Sequence, residues 1–228
     1  MTSRKLQMAD IEPIGAWNSH RAAALQHIIR LKQARRVALG VCLSVLFENR
    51  QTVRFQVQEV LRAEFITQPE CIQAEIDGYN KLIPEPGELC ATLFIELLES
   101  RHVARDIGAF VGVERAVELR FAGYQIAAQS EPVEPSLGRT VTLHYLRFPF
   151  TPVEAEAFGQ SPVELALQLP RYRASALLSG ATAAALAEDL AADAGQPARP
   201  ALAGVVLRAA PAGLSSLTLA VPASPYPR

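Results

Sequence analysis

Apolar residues recur along this chain with two alternating periods, and the changes of period predict its elements. From Trp17 to Arg36, Leu25, Ile28 and Ile29 share one face with alanines beside them and charges opposite, as in an amphipathic helix. Over Val37 to Glu48, Val41, Leu43, Val45 and Phe47 alternate with Cys42 and Ser44, which predicts one continuous strand. Glu48-Asn49-Arg50-Gln51 then supplies turn and cap chemistry, and Val53, Val57, Val60 and Leu61 form the buried stripe of a helix over Thr52 to Phe65. Thr67-Gln68-Pro69-Glu70 has the form of a capping box, and Ile72, Ile76, Tyr79 and Ile83 continue at helical spacing until Pro84 and Pro86 stop them.

Strands dominate the chain from Leu89 onward. Leu89 to Leu97 is apolar on both faces, the pattern of a strand covered on both sides. A short helix is expected over Arg101 to Phe110. After it, Val117, Leu119 and Phe121 alternate against Glu118 and Arg120, and Gly123 turns the chain into a second strand at Tyr124 to Ala128. Ser130 to Gly138 reads as a loop and Thr140 to Phe148 as a strand. A capping box at Thr151 to Glu154 opens a short helix through Phe158, Val163 to Leu169 alternates as a strand, and Ala181 to Ala192 is an alanine-rich helix. The expected fold is α+β: a mixed, mainly antiparallel sheet of five or six strands with packed helices. Residues 1–194 form its single main domain, and residues 195–228 are an Ala/Pro/Gly-rich appendage.

Composition narrows the function classes. At 50% hydrophobic residues the 228-residue chain can bury a sizeable core, which excludes general disorder. Twenty-two basic against 23 acidic residues give a formal net charge of −1, so no global field recruits nucleic acid or an anionic membrane. Cys42, Cys71 and Cys90 lie far apart without a CxxC pair, against a disulfide framework or a Cys-rich metal site. MTSRKLQMADIEP lacks the apolar core of a signal peptide and no apolar run is long enough to span a bilayer, so a cytoplasmic location is expected. Strand-like pieces in the apolar tail would suit pairing with a second copy, as a homodimer.

Candidate chemistry is sparse. Gln56 and Glu59 lie beside the core stripe of their helix, with Arg54, Gln58 and Arg62 on a neighbouring face. Such an ensemble suits a held ligand and equally a solvated face laced by hydrogen bonds, and both readings stay open. Tyr79 and Asn80 would present a hydroxyl and an amide at a helix end, and His144 stands in a strand on the Leu146 and Phe148 face. The candidate polar site is therefore Glu48, Gln56, Glu59, Arg62, Tyr79, Asn80 and His144. Within it Glu59, Glu48 and His144 offer oxygen and nitrogen donors suited to iron or manganese, provided they converge. The turn between strand and helix would bring Glu48 and Glu59 together. Glu99-Ser100-Arg101-His102 has the Glu-x-x-His spacing of one di-iron ligand pair, but a di-iron bundle needs a second such motif and two more helical glutamates. Lys32, Arg35 and Arg36 read as a solvated basic helix end, and Arg35, Arg36, Arg54 and Arg62 are the residues a nucleic acid would meet. No nucleophile elbow or phosphate-binding glycine loop appears, and no cofactor is implied.

Three segments, RRVALGVCLSVLFENRQTVRFQVQEVLRAE, EIDGYNKLIPEPGELCATLFIE and VTLHYLRFPFTP, resemble the bacterial family called domain of unknown function 3501, in its order and spacing over Leu6 to Leu190. The positions carrying the resemblance are Arg36, Gly40, Phe47, Glu48, Thr52, Gln56, Gln58, Glu59, Arg62, Glu64, Tyr79, Asn80, Pro84, His144 and Arg147. Where the family commonly has a histidine-containing segment, this chain has LPRYRA, and its tail after Asp193 goes beyond the family pattern. The resemblance names no reaction. It implies companionship with rubrerythrin-like and iron–sulfur oxidoreductase proteins, hence an accessory or interaction protein of a redox system, with a metal-dependent enzyme using a Glu/His site as the alternative.

Overall fold

The structure, a computed structural model, describes residues 4–96, 110–130 and 143–191. The expected helix at 101–110, the Glu99–His102 pair, most of the Ser130 to Gly138 loop and the tail lie outside the described residues. In chain order the elements are α1 (Ile14–Gln33), β1 (Arg36–Leu39), β2 (Leu43–Glu48), α2 (Arg50–Ala63), α3 (Pro69–Tyr79), β3 (Glu88–Ile95), β4 (Val117–Phe121), β5 (Tyr124–Ala127) and β6 (Leu143–Pro149). Beyond these come α4 (Pro152–Ala157), β7 (Glu164–Gln168), β8 (Arg173–Leu177) and α5 (Gly180–Ala191).

The fold is α+β, with antiparallel strands in two sheets of four where a single sheet was expected, ordered β1-β2-β3-β6 and β5-β4-β7-β8. The sheets meet along both margins. On one side Gln129 and Arg147 exchange backbone hydrogen bonds of 2.8 Å each way. On the other, β1 lies against β7 and β8, and the Tyr172 hydroxyl donates to the Leu39 carbonyl at 2.7 Å. Among the described residues eight strands thus wrap one core, in which Val45, Phe47, Leu93 and Phe148 of the first sheet face Leu119 and Leu165 of the second with essentially no exposure. Leu186 and Leu190 of α5 complete it.

The predicted strand over Val37 to Glu48 is a hairpin. Gly40 at φ +72° turns the chain, Val41 sits exposed at the tip, and Val37 and Leu39 return onto Val45 and Leu43. Alternation runs through so tight a turn uninterrupted, because the paired strands keep the same residues on the core face. Strand β8 escaped the sequence reading altogether: Arg173-Ala174-Ser175-Ala176-Leu177 has small residues at its inward positions, and pairing with β7 supplies the order that periodicity does not show.

The outer face of the first sheet carries α2 and α3, over a second cluster of Leu6, Val53, Val57, Leu61, Ile76, Leu82 and Ile83. Helix α1 lies antiparallel on α2 through Trp17, Ile28 and Phe55. Capping follows the sequence at α2, where Asn49 accepts from the amides of Gln51 and Thr52, and at α4, where Thr151 and Glu154 bond reciprocally. At α3 the cap residue is Gln68, whose side chain makes no cap bond, and Pro69 in the first turn marks the start.

Candidate functional site

The register of the first sheet decides which candidate residues can meet. Glu48 pairs with Cys90 on β3, while His144 pairs with Leu93, an odd number of residues further along that strand. Successive side chains alternate faces, so Glu48 looks out toward α2 and His144 looks in toward the second sheet, beside Glu114 at 3.8 Å. Glu48, Glu59 and His144 therefore do not form one metal site, and the described residues contain no group of three or more His, Cys, Asp or Glu placed to hold an ion. Glu48 and Glu59 are also apart: Thr52, which holds Glu48, precedes Glu59 by two turns of α2, about 10 Å.

Glu59 is a structural anion. Its buried carboxylate accepts from Trp17 Nε1 at 2.8 Å, from Arg21 Nε and Nη2 at 2.9 and 2.7 Å, and from Arg62 Nε at 3.2 Å. Burial opposes its ionisation, but the donors of Arg21, Trp17 and Arg62 outweigh that and hold its pKa at about 2. Arg62 is thereby spent on the same pin between α1 and α2. Asn80 is a clamp: its side chain both accepts from the Leu6 amide at 2.7 Å and donates to the Leu6 carbonyl at 2.9 Å, fixing the N-terminal segment to the α3 end.

The expected basic helix end is not a solvated surface. Arg35 is buried in a two-pronged pair with Asp189 of α5, at 2.7 and 3.0 Å. Arg36 bonds Ser44 and Glu96 and lies over the Phe94 ring. Arg54 is paired with Glu12, so each of the four arginines considered for nucleic acid has a carboxylate partner. Cys90 is buried against Glu88, and burial pushes its thiol well above the usual range, away from nucleophilic use.

What the fold does assemble is a buried polar cluster between the first sheet and the helices. At its centre Glu48, 1% exposed, accepts from Thr52 Oγ1 at 2.5 Å and from Thr92 Oγ1 at 2.8 Å. Tyr145 is the cross-strand partner of Thr92 and shares its face. Burial and the Glu48 charge push the Tyr145 phenol up to about 12. Burial, then the neighbouring Tyr145 and Glu48 among other groups, also raises that of Tyr79. Gln56 continues the Thr52 stripe one turn along α2, and its buried Oε1 has no hydrogen-bond partner among the described residues. Lys32, in the last turn of α1, is half-buried. Its ammonium is disfavoured by burial, favoured by Glu48 and disfavoured by Arg36, with a net lowering of its pKa.

Of the sequence candidates, then, Glu48, Gln56 and Tyr79 belong to this neighbourhood, while Glu59, Arg62, Asn80 and His144 do not. Thr92 and Tyr145 were missed as members. Thr92 alone left a signal, as a hydroxyl on an otherwise apolar strand.

No helix among the described residues is long and apolar enough to cross a membrane. No curated protein matches the chain. A crystal structure of a novel protein of unknown function from Burkholderia pseudomallei K96243 is similar over 82% of this chain and 99% of its own, at 28% identity and a TM-score of 0.76. The model of the family described as protein of unknown function (DUF3501) matches residues 5–190, a stretch that runs from Lys5 under the Asn80 clamp to Leu190 in the core. By that match this chain belongs to the DUF3501 family.

Proposed function

We propose that this protein is an accessory, interaction-type component of a cytoplasmic redox system, whose partners are rubrerythrin-like or iron–sulfur proteins. The observation that supports it is the fate of Glu59. Its buried carboxylate spends both oxygens on Trp17, Arg21 and Arg62, as a scaffold does, and leaves no oxygen for an ion. The redox association itself comes from what the family resemblance implies.

The test is gentle anaerobic purification of the full chain, with identification of what accompanies it and measurement of metal per chain. A rubrerythrin-like or iron–sulfur partner in constant ratio is the expected result. Isolation of the protein alone would count against the reading. Near-stoichiometric metal bound to the purified chain would move it to the metal-dependent enzyme, at residues other than Glu59.

A further inference from the structure

Helix α5 sits where β1 begins, with Asp189 paired to Arg35. At the other end of β1 three loops gather around Tyr172. They are the β1–β2 tip at residues 40–42, the β7–β8 tip at residues 170–171, and residues 110–112 on the approach to β4. The Tyr172 hydroxyl donates to the Leu39 carbonyl at 2.7 Å, and its ring meets that of Phe110 edge to face at 5.1 Å between centroids. Both aromatic side chains thus pack against the core, and their neighbours in the chain turn outward. Val41 is 83% exposed and Val111 78%. Arg171 and Arg173, on either side of Tyr172, are exposed, and their guanidinium groups have no hydrogen bond or ion pair among the described residues.

We propose that this end of the molecule docks on an anionic lipid surface, with Val41 and Val111 entering the headgroup layer and Arg171 and Arg173 meeting the lipid phosphates. This inference does not depend on the redox-partner reading. Single exposed valines are ordinary, but two of them at loop tips around one hub, flanked by two unpaired cations, form a patch. A protein partner would be anchored by aromatic side chains at the centre of its interface, where valine is under-represented. Here the aromatics are turned to the core, and what protrudes is aliphatic. A lipid surface asks for no matching pocket: it takes apolar groups near the acyl boundary and cations at the phosphates.

Local carboxylates do not compete for these arginines. Glu96, whose amide bonds the Cys42 carbonyl, is paired with Arg36, and Glu114 with Arg115. With a formal net charge of −1 the chain has no long-range attraction to such a surface, so the contact is local, reversible and sensitive to salt.

The experiment sediments the full chain at low salt with vesicles of phosphatidylcholine alone and of phosphatidylcholine mixed with phosphatidylglycerol. Binding to the mixed vesicles only, released by salt, is the expected result. Arg171→Gln with Arg173→Gln should weaken it about thirty-fold, the factor two arginines supply at an anionic surface. Val41→Ser with Val111→Ser should weaken it about ten-fold through lost apolar contact. Arg30→Gln removes an exposed charge from α1 and should leave binding within about two-fold, because that charge lies off the docking face. Circular dichroism checks that each variant is folded. Binding no better to mixed than to neutral vesicles overturns the proposal and leaves the patch to an acidic protein partner. Binding kept by both double variants, or lost as much in Arg30→Gln, overturns it as well. So does release by inorganic phosphate well beyond that by chloride at equal ionic strength, which would mark a site for a free anion.

Discussion

Glu59 links pH to stability through a single side chain. Its folded pKa of about 2 lies below the ordinary 4.5, so its contribution is fully present above about pH 4.5 and is lost as pH falls toward 2. The difference corresponds to about 3 kcal/mol, and the side chain is only 7% exposed, so solvent screening takes little from it. Glu59→Gln is therefore expected to lower the urea midpoint at pH 7 and to flatten the acid limb between pH 5 and 2. An acid limb unchanged in the variant would assign that loss to other carboxylates. Gly40 gives the second prediction at this scale. At φ +72° an added Cβ is strained, and it would also collide with the Tyr172 hydroxyl, so Gly40→Ala should cost about 2–4 kcal/mol by chemical denaturation. Tyr172→Phe removes only the bond to Leu39 and should cost about 1 kcal/mol. The tyrosine opposite the glycine, far along the chain, left no trace in the sequence.

Among the elements, α5 is fastened by one buried ion pair and two leucines. Removing the carboxylate with Asp189→Asn leaves Arg35 charged and buried, which typically costs about 3–5 kcal/mol. Amide hydrogen exchange over Gly180–Ala191 should accelerate in that variant before the sheets open. Equal protection in variant and wild type would mean that Leu186 and Leu190 hold the helix alone. The N-terminal segment depends similarly on Asn80: Asn80→Ala loses both bonds to Leu6 and should cost about 2 kcal/mol, read by exchange at the Leu6 amide. Element types were largely legible from periodicity, because α2, α3 and β3 bury continuous apolar stripes whose spacing is local. The break between β1 and β2 was not, since a tight hairpin preserves alternation. Nor was β8, whose inward positions are alanines.

For the molecule as a whole, closure of the core depends on contacts distant in sequence, and the family match and the last buried leucine among the described residues coincide at residue 190. A chain ended after Ala191 is expected to melt in one transition within about 3 °C of the full chain, the shift that about 1 kcal/mol would produce. A larger drop would show that residues beyond the match contribute to the core. By itself the sequence determined the α+β class, the family, most elements and the two caps at Asn49 and Thr151, because each rests on neighbours within a few positions. Only tertiary structure decided that the strands form two sheets, that Arg35 is a buried partner of Asp189, and that Glu48 and His144 face opposite ways. It also decided that Thr92 bonds Glu48 and that Tyr145 shares its face. Pairing partners and their register are set by packing across the whole chain, where local spacing carries no information.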